Sequence, residues 1–358
     1  MKHPIDELFS ILVEKGGSDL HLLEGQPAKI RRHGEVSKIQ EEPLSREAIV
    51  RLLEPICSPP AWKKFVELGD LDFAYEMDEN NRFRCNFYKQ LHGYGAVFRI
   101  IPTKIKTLKE LGVPPVIESF GNYKSGLVLV TGPTGSGKST TLAAVVDSIN
   151  TNHSRHIVTI EEPIEFVHPN KKSVITQREV PNETPSFATG LKAALREDAD
   201  VVLVGEMRDL ETIALALTAA ETGLLVFGTL HTNNARKTVD RIIDAFPSNQ
   251  QEQIRTMLAN SLRAVCAQLL LKRSDGGGRL AVNEILVGNN AVASIIREGA
   301  TMKLNDVLKT GKAEGMQLMD DAIDGHLKAG RISPMEAYMK AIDKLRFQEL
   351  LPKDAGIG

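Results

Sequence analysis

The spacing of apolar positions divides this chain before any motif is considered. Over residues 4–15 they fall at Ile5, Leu8, Phe9, Leu12 and Val13, one face of a helix. Over 18–23 (SDLHLL) they alternate with polar side chains, the period of a half-buried strand. Residues 29–39 read as a hairpin turning near His33-Gly34. Helical segments follow near 45–54 and 61–68, then strand-like runs at 71–75, 82–88 and 95–101. The mixture predicts a small α+β domain built on an antiparallel sheet, covering residues 1–101.

Residues 102–118 read as a linker or hinge, because the stretch from Pro102 to Pro115 is basic and carries prolines. Beyond it, over 119–358, short continuous apolar runs alternate with helical patterns. The runs lie at Leu127–Thr131, His156–Ile160, Val201–Val204 and Leu224–Leu230, with helices at 187–195 and 210–221 between them. That alternation predicts an α/β domain, a mainly parallel sheet with helices on both faces. From about Asn249 the pattern is mostly helical, broken by an Asp275–Gly278 turn and a short strand over 279–287.

Placed on these elements, one motif carries chemistry at once. Gly132–Ser139 reads GPTGSGKS, a complete G-x-x-x-x-G-K-[ST], between a predicted strand (GLVLVT) and a predicted helix (TLAAVVDSIN). Glycines let backbone N–H groups close around phosphates, at a helix N-terminus whose dipole favours anions. Gly135, Ser136, Gly137, Lys138, Ser139 and Thr140 are the expected nucleotide-binding residues. Lys138 would reach the β- and γ-phosphates and the Ser139 hydroxyl a Mg²⁺ position, so ATP and Mg²⁺ are the expected ligands.

Three later segments end strands in polar side chains. VTIEEPIEF (158–166) brings Glu161, Glu162 and Glu165, one of which would hold and polarise an attacking water. DVVLVGEMRD (200–209) places Glu206 after a buried run, suited to the Mg²⁺ shell directly or through water. LLVFGTLHT (224–232) delivers His231, which would bond the γ-phosphate or its water network.

Composition narrows the classes. With 42% hydrophobic and 25% charged residues over 358 positions, the chain is globular and long enough for two domains. A net charge of -2 gives no electrostatic case for nucleic acid. Cys57, Cys85 and Cys266 lie far apart without a C-x-x-C, so neither a zinc ribbon nor a disulfide framework is expected. The N-terminal MKHPIDELFS lacks the apolar core of a signal peptide, and no run approaches the ~20 residues of a membrane span.

GPTGSGKST, VTIEEPIEF, LREDADVVLVGEMRD and GTLHT together resemble the secretion ATPase superfamily that drives type II secretion and type IV pili. SDLHL, GAVFRIIP, GEMRDLETI and DAFP extend the resemblance along nearly the whole chain. The match is best to its pilus retraction branch, since neither a longer N-terminal region nor a four-cysteine zinc motif is present. The resemblance implies a RecA-like P-loop ATPase domain preceded by a PAS-like domain, assembled as a homohexamer. It implies a motor for type IV pilus retraction, at the cytoplasmic face of the inner membrane, working on a membrane platform protein. A paralogous retraction ATPase is a further implied partner. By position, Glu165 corresponds to the water-orienting glutamate, Glu206 to the Walker B acid and His231 to the His-box histidine. Arg84 and Arg99 correspond to arginines that reach a neighbouring subunit's γ-phosphate.

Two positions depart from the family pattern. Glu162 stands where the family has aspartate, and Ala291–Arg297 (AVASIIR) stands where retraction ATPases have AIRNLIR. An accessory paralogue and a pilus or secretion assembly ATPase are therefore the alternatives. A hexameric nucleic-acid motor is disfavoured by the charge balance, and a scaffold without turnover by Lys138 and Glu165.

Overall fold

The computed structural model describes residues 3–32, 34–101 and 104–351. His33, at the expected hairpin turn, and residues 102 and 103, in the expected linker, lie outside them. The chain divides into two compact units, Met1–Lys104 with Pro163–Val167, and Ile105–Glu162 with His168–Gly358.

The first unit contains helices α1 (Asp6–Glu14), α2 (Arg46–Leu53) and α3 (Pro59–Leu68). Its strands are β1 (Asp19–Leu23), β2 (Lys29–Arg32), β3 (Glu35–Lys38), β4 (Asp70–Asp78), β5 (Asn81–Gln90) and β6 (Gly93–Ile101). They form one antiparallel sheet in the order β3-β2-β1-β6-β5-β4. On β5, Phe83, Cys85 and Phe87 are buried while Arg84 and Asn86 alternate with them, so the period of two sends the arginine to the opposite face. Phe9 of α1 stacks on Phe83 with ring centroids 3.9 Å apart and meets Phe98 edge-on at 5.1 Å.

The second unit begins with short helices α4 (Leu108–Leu111) and α5 (Val116–Ser119), followed by β7 (Gly126–Thr131) and α6 (Lys138–Asn152). Then come β8 (His156–Glu161), β9 (Val174–Glu179), α7 (Phe187–Ala194), β10 (Val201–Val204), α8 (Leu210–Glu221) and β11 (Leu225–Leu230). After α9 (Ala235–Asp244) and α10 (Gln251–Ser261), β12 (Leu262–Lys272) and β13 (Arg279–Val287) complete the sheet. Helices α11 (Asn290–Arg297), α12 (Leu304–Thr310), α13 (Met319–Lys328), α14 (Pro334–Lys340) and α15 (Leu345–Gln348) follow.

The seven strands order as β13-β12-β7-β11-β10-β8-β9, parallel throughout except for β13. Every residue of β7 is buried, as a strand covered on both faces requires. Leu127 and Leu129 pack in the cluster built from α7, α8, α9 and α10, whereas Val128 and Val130 pack with Leu142, Val145 and Ile149 of α6. The expected α/β architecture is therefore the observed one.

Three local expectations change. From Ile105 onward the expected linker is packed structure: Leu108, Val113 and Ile117 are buried in the α6-side cluster, and Thr107 with Glu110 forms a capping box. The C-terminal region is not simply helical, because Leu262–Lys272 is a strand beside β7. Its continuous apolar run fits either a buried helix or a buried strand by pattern alone. The edge strand β9 also went unanticipated, its sequence VITQRE being half polar.

Candidate functional site: a phosphate loop at the edge of a parallel sheet

Strands β7, β11, β10 and β8 are consecutive neighbours running the same way, so their C-terminal ends share one edge of the sheet. That edge carries the phosphate loop after β7, His231 after β11, Glu206 after β10 and Glu161–Glu162 at and after β8. In open α/β sheets this is where ligands bind.

The loop runs from Gly132 to Gly137 and ends in α6, whose 15 residues start at Lys138 without a side-chain cap. First-turn N–H groups of such a helix are available to an anion, and the dipole adds to the attraction. Gly137 has φ 84° and Gly132 φ 142°, conformations that glycine adopts without strain. At Gly132 a Cβ would also fall 2.3 Å from the Gln268 carbonyl oxygen. The Lys138 ammonium donates to the carbonyls of Gly132 at 2.8 Å and Pro133 at 3.2 Å, folded over the loop. Ser136 is buried, and its Oγ finds no hydrogen-bond partner among the described residues. A glycine loop of positive φ, a folded-back cation and a buried hydroxyl fit a phosphate-bearing substrate.

On the same sheet edge, Glu206 accepts a hydrogen bond from Arg208 and, at 2.8 Å, shares one with His231 Nε2. Burial by itself would raise the Glu206 carboxyl, but the Arg208 and His231 hydrogen bonds outweigh it and hold it below its usual range. Arg208 is pushed up in turn, first by its bond to Glu206 and also by the field of Glu162. Among the described residues no group of three or more His, Cys, Asp or Glu is placed to hold a metal. A divalent ion here would rely on the Ser139 hydroxyl, a water-mediated Glu206, and oxygens of water and substrate, a donor set suited to Mg²⁺.

Glu161 accepts from Thr159 Oγ1 at 2.6 Å and from Gln177 Nε2 at 3.3 Å, which binds it into its own sheet. Glu162 and Glu165 are exposed. Glu165 lies in Pro163–Val167, the segment that groups with the first unit. Arg84 and Arg99 also belong to the first unit, directly opposite each other on β5 and β6. Arg84 is bonded to Asp72 at 2.6 Å. Arg99 is bonded to Asp19 at 2.8 Å, with the arginine side chain 70% exposed and the aspartate 6%. Burial would raise Asp19, yet bonds from Ser18 and Arg99 bring it down. Thus the loop residues, Glu206 and His231 share one edge, while Glu165, Arg84 and Arg99 lie in the other unit.

Two residues of the site, Arg208 and Gln268, are not singled out by the sequence patterns. Gln268 is 1% exposed on β12. Its Nε2 donates to the Ser136 carbonyl at 2.7 Å, and its Oε1 accepts from Thr141 Oγ1 at 2.8 Å and Asn283 Nδ2 at 3.0 Å. The available signal was one amide inside the apolar run LRAVCAQLLLK, since a buried polar group must find partners.

Comparison with known proteins places the chain in a family. A family model described as type II/IV secretion system protein matches residues 4–276. The type IV pilus retraction ATPase PilT of Pseudomonas aeruginosa is 48% identical over 337 residues, covering 94% of this chain and 98% of that protein. A twitching motility protein of Neisseria gonorrhoeae is 50% identical over 312 residues, covering 87% and 83% respectively. A crystal structure of the pilus retraction motor PilT with bound ADP superposes with a TM-score of 0.90 at 42% identity, over 96% of this chain and 98% of that one. With a phosphate loop at the sheet edge and relatives matched end to end, the chain belongs to the type II/IV secretion system protein family, in its PilT-like group.

Proposed function

We propose that this chain is the ATPase motor of type IV pilus retraction, working as a homohexamer. The reading is carried by the phosphate loop lying on one sheet edge with the Glu206–His231 pair, in a chain that matches retraction ATPases along its length.

ATP is the substrate. Backbone N–H groups at the start of α6 bind its phosphates, and Lys138 leaves the Gly132 and Pro133 carbonyls for the β- and γ-phosphates. Ser139 and Glu206 would hold Mg²⁺, which would supply neutralisation of charge on the phosphate oxygens. Glu165 orients the attacking water, and His231 couples Glu206 to the terminal phosphate. Arg84 and Arg99 exchange their aspartate partners for the γ-phosphate of a neighbouring subunit, as trans arginines do in other phosphoryl-transfer enzymes. Loss of that phosphate releases the bridge, and rigid-body movement of one unit against the next does the work. The ring acts on a platform protein at the cytoplasmic face of the inner membrane. No helix among the described residues is long and apolar enough to cross a membrane itself.

One observation favours a second reading, the accessory PilU-like paralogue. Ala293 and Ser294 of α11 replace the family's Arg and Asn. Deleting the gene in the source organism separates them. Excess unretracted pili with lost twitching support the main motor, pili that still retract support the accessory role, and absent pili overturn both in favour of assembly. In vitro, Lys138→Ala is expected to abolish ATP turnover by the purified hexamer, and full turnover in that variant would sink the ATPase reading.

A further inference from the structure

Gln268 reaches the phosphate loop from a different part of the chain, and the direction of each of its bonds is fixed. The Ser136 carbonyl can only accept, so the atom it does not face, on which the Thr141 hydroxyl and the Asn283 amide converge, is the oxygen. Asn283 Nδ2 also lies 3.2 Å from the Cys266 sulfur. Burial pushes that thiol up to about 12, so it stays neutral and can take the contact. The remaining atom of the Gln268 amide is then the NH₂ group, which meets the Ser136 carbonyl at 2.7 Å. Reversing the amide would set oxygen against carbonyl oxygen and NH₂ against NH₂.

This bond sets the plane of one loop peptide. The Ser136–Gly137 peptide is trans, so its C=O and N–H point to opposite sides. Holding the carbonyl on β12 turns the Gly137 N–H away from that strand. Gly137, at φ 84°, has no side chain to restrain it and would otherwise rotate at little cost. Thr141 lies in the first turn of α6, so the same glutamine ties helix, loop and strand at one point.

We propose that Gln268 is a positioning residue for phosphate binding. It presets the Gly137 N–H as a donor to the substrate's phosphates, so that the donor is oriented before ATP arrives rather than by it. Asn283 and Thr141 act through it by fixing which end of its amide faces the loop. The proposal rests on the phosphate loop being the nucleotide site, and it adds a residue from a distant strand to that site.

The test uses the full-length assembly. Gln268→Met keeps the length and removes the donor. We expect the Kd for a fluorescent ADP and the KM for ATP to rise about tenfold or more, with kcat changed far less, as for loss of uniform binding. Binding of adenosine, which has no phosphate to meet Gly137, is expected to stay as in the parent. A merely structural glutamine would lower the melting temperature and leave Kd and KM of the folded protein unchanged, and that result overturns the proposal. Should Gln268→Met fail to fold, Thr141→Val decides. It removes one of the two bonds that orient the amide and is expected to weaken ADP binding about threefold to tenfold. Unchanged affinity there also overturns the proposal. Lys138→Ala run in parallel keeps the readings apart. If Lys138→Ala also binds and turns over ATP normally, the nucleotide site itself is misplaced. If only the Gln268 and Thr141 variants are silent, the positioning role alone falls.

Discussion

His231 and Glu206 face each other across 2.8 Å, yet neither was expected to hold the other from sequence, where each was assigned to the ligand. The structure gives His231 a partner that fixes its ring and helps keep Glu206 ionised. If Glu206 serves Mg²⁺ as proposed, His231→Ala lowers kcat or apparent Mg²⁺ affinity about 10–100-fold, the usual cost of removing an outer partner of a metal-shell carboxylate. A Mg²⁺ titration of ATP turnover checks it. His168 supplies a pH prediction. Burial pushes its imidazole down to about 4 from an ordinary 6.5, and its Nδ1 has no hydrogen-bond partner among the described residues. The native chain therefore binds fewer protons than the unfolded chain between those values, and stability rises with pH through that window. Stability contributed by the neutral ring is full above about 6.5 and is lost as pH falls toward 4, by about 3 kcal/mol at most. Denaturant unfolding at pH 7 and pH 5 measures it, and His168→Asn should flatten the difference.

At the scale of elements, strands covered on both faces were legible and their exceptions are instructive. β7, β10 and β11 are short apolar runs with turn signals at both ends, and each appears within a residue or two of its expected bounds. β12 is just as apolar, but it begins one residue after a helix ends, so no turn residues separate the two. The expected linker misled for the opposite reason. Its prolines and lysines announce a loop, while Leu108, Val113 and Ile117 at intervals of four or five residues bury themselves under α6. Ile117→Ala is therefore expected to destabilise the second unit by about 2–5 kcal/mol through the cavity it leaves. A change below about 0.5 kcal/mol would mean that the segment behaves as a free tether. The boundary between the two units falls at Lys104–Ile105 rather than across the whole proline-bearing stretch.

At the scale of the molecule, the candidate catalytic groups are distributed between two units, with Arg84, Arg99 and Glu165 in one and the phosphate loop, Glu206 and His231 in the other. The proposed sharing of sites between copies yields a mixing prediction. Lys138→Ala and Arg99→Ala subunits are each expected to be inactive as pure hexamers. Mixed in one ring they should regain part of the turnover, because some junctions then pair an intact loop with an intact arginine. No recovery in verified mixed rings would count against a trans role for Arg99.

The sequence by itself determined the nucleotide chemistry, because the signature of a phosphate loop is local: eight consecutive residues running from a strand into a helix carry it, and no distant contact is needed to recognise it. It determined the α/β class as well, since the two hydrophobic periods are local properties. The tertiary structure decided what depends on residues far apart in the chain. Gln268 meets Ser136 across 132 positions of sequence and Arg99 meets Asp19 across 80, and no spacing rule specifies either pair. Sheet order alone brings them together, and sheet order follows from how the whole core packs.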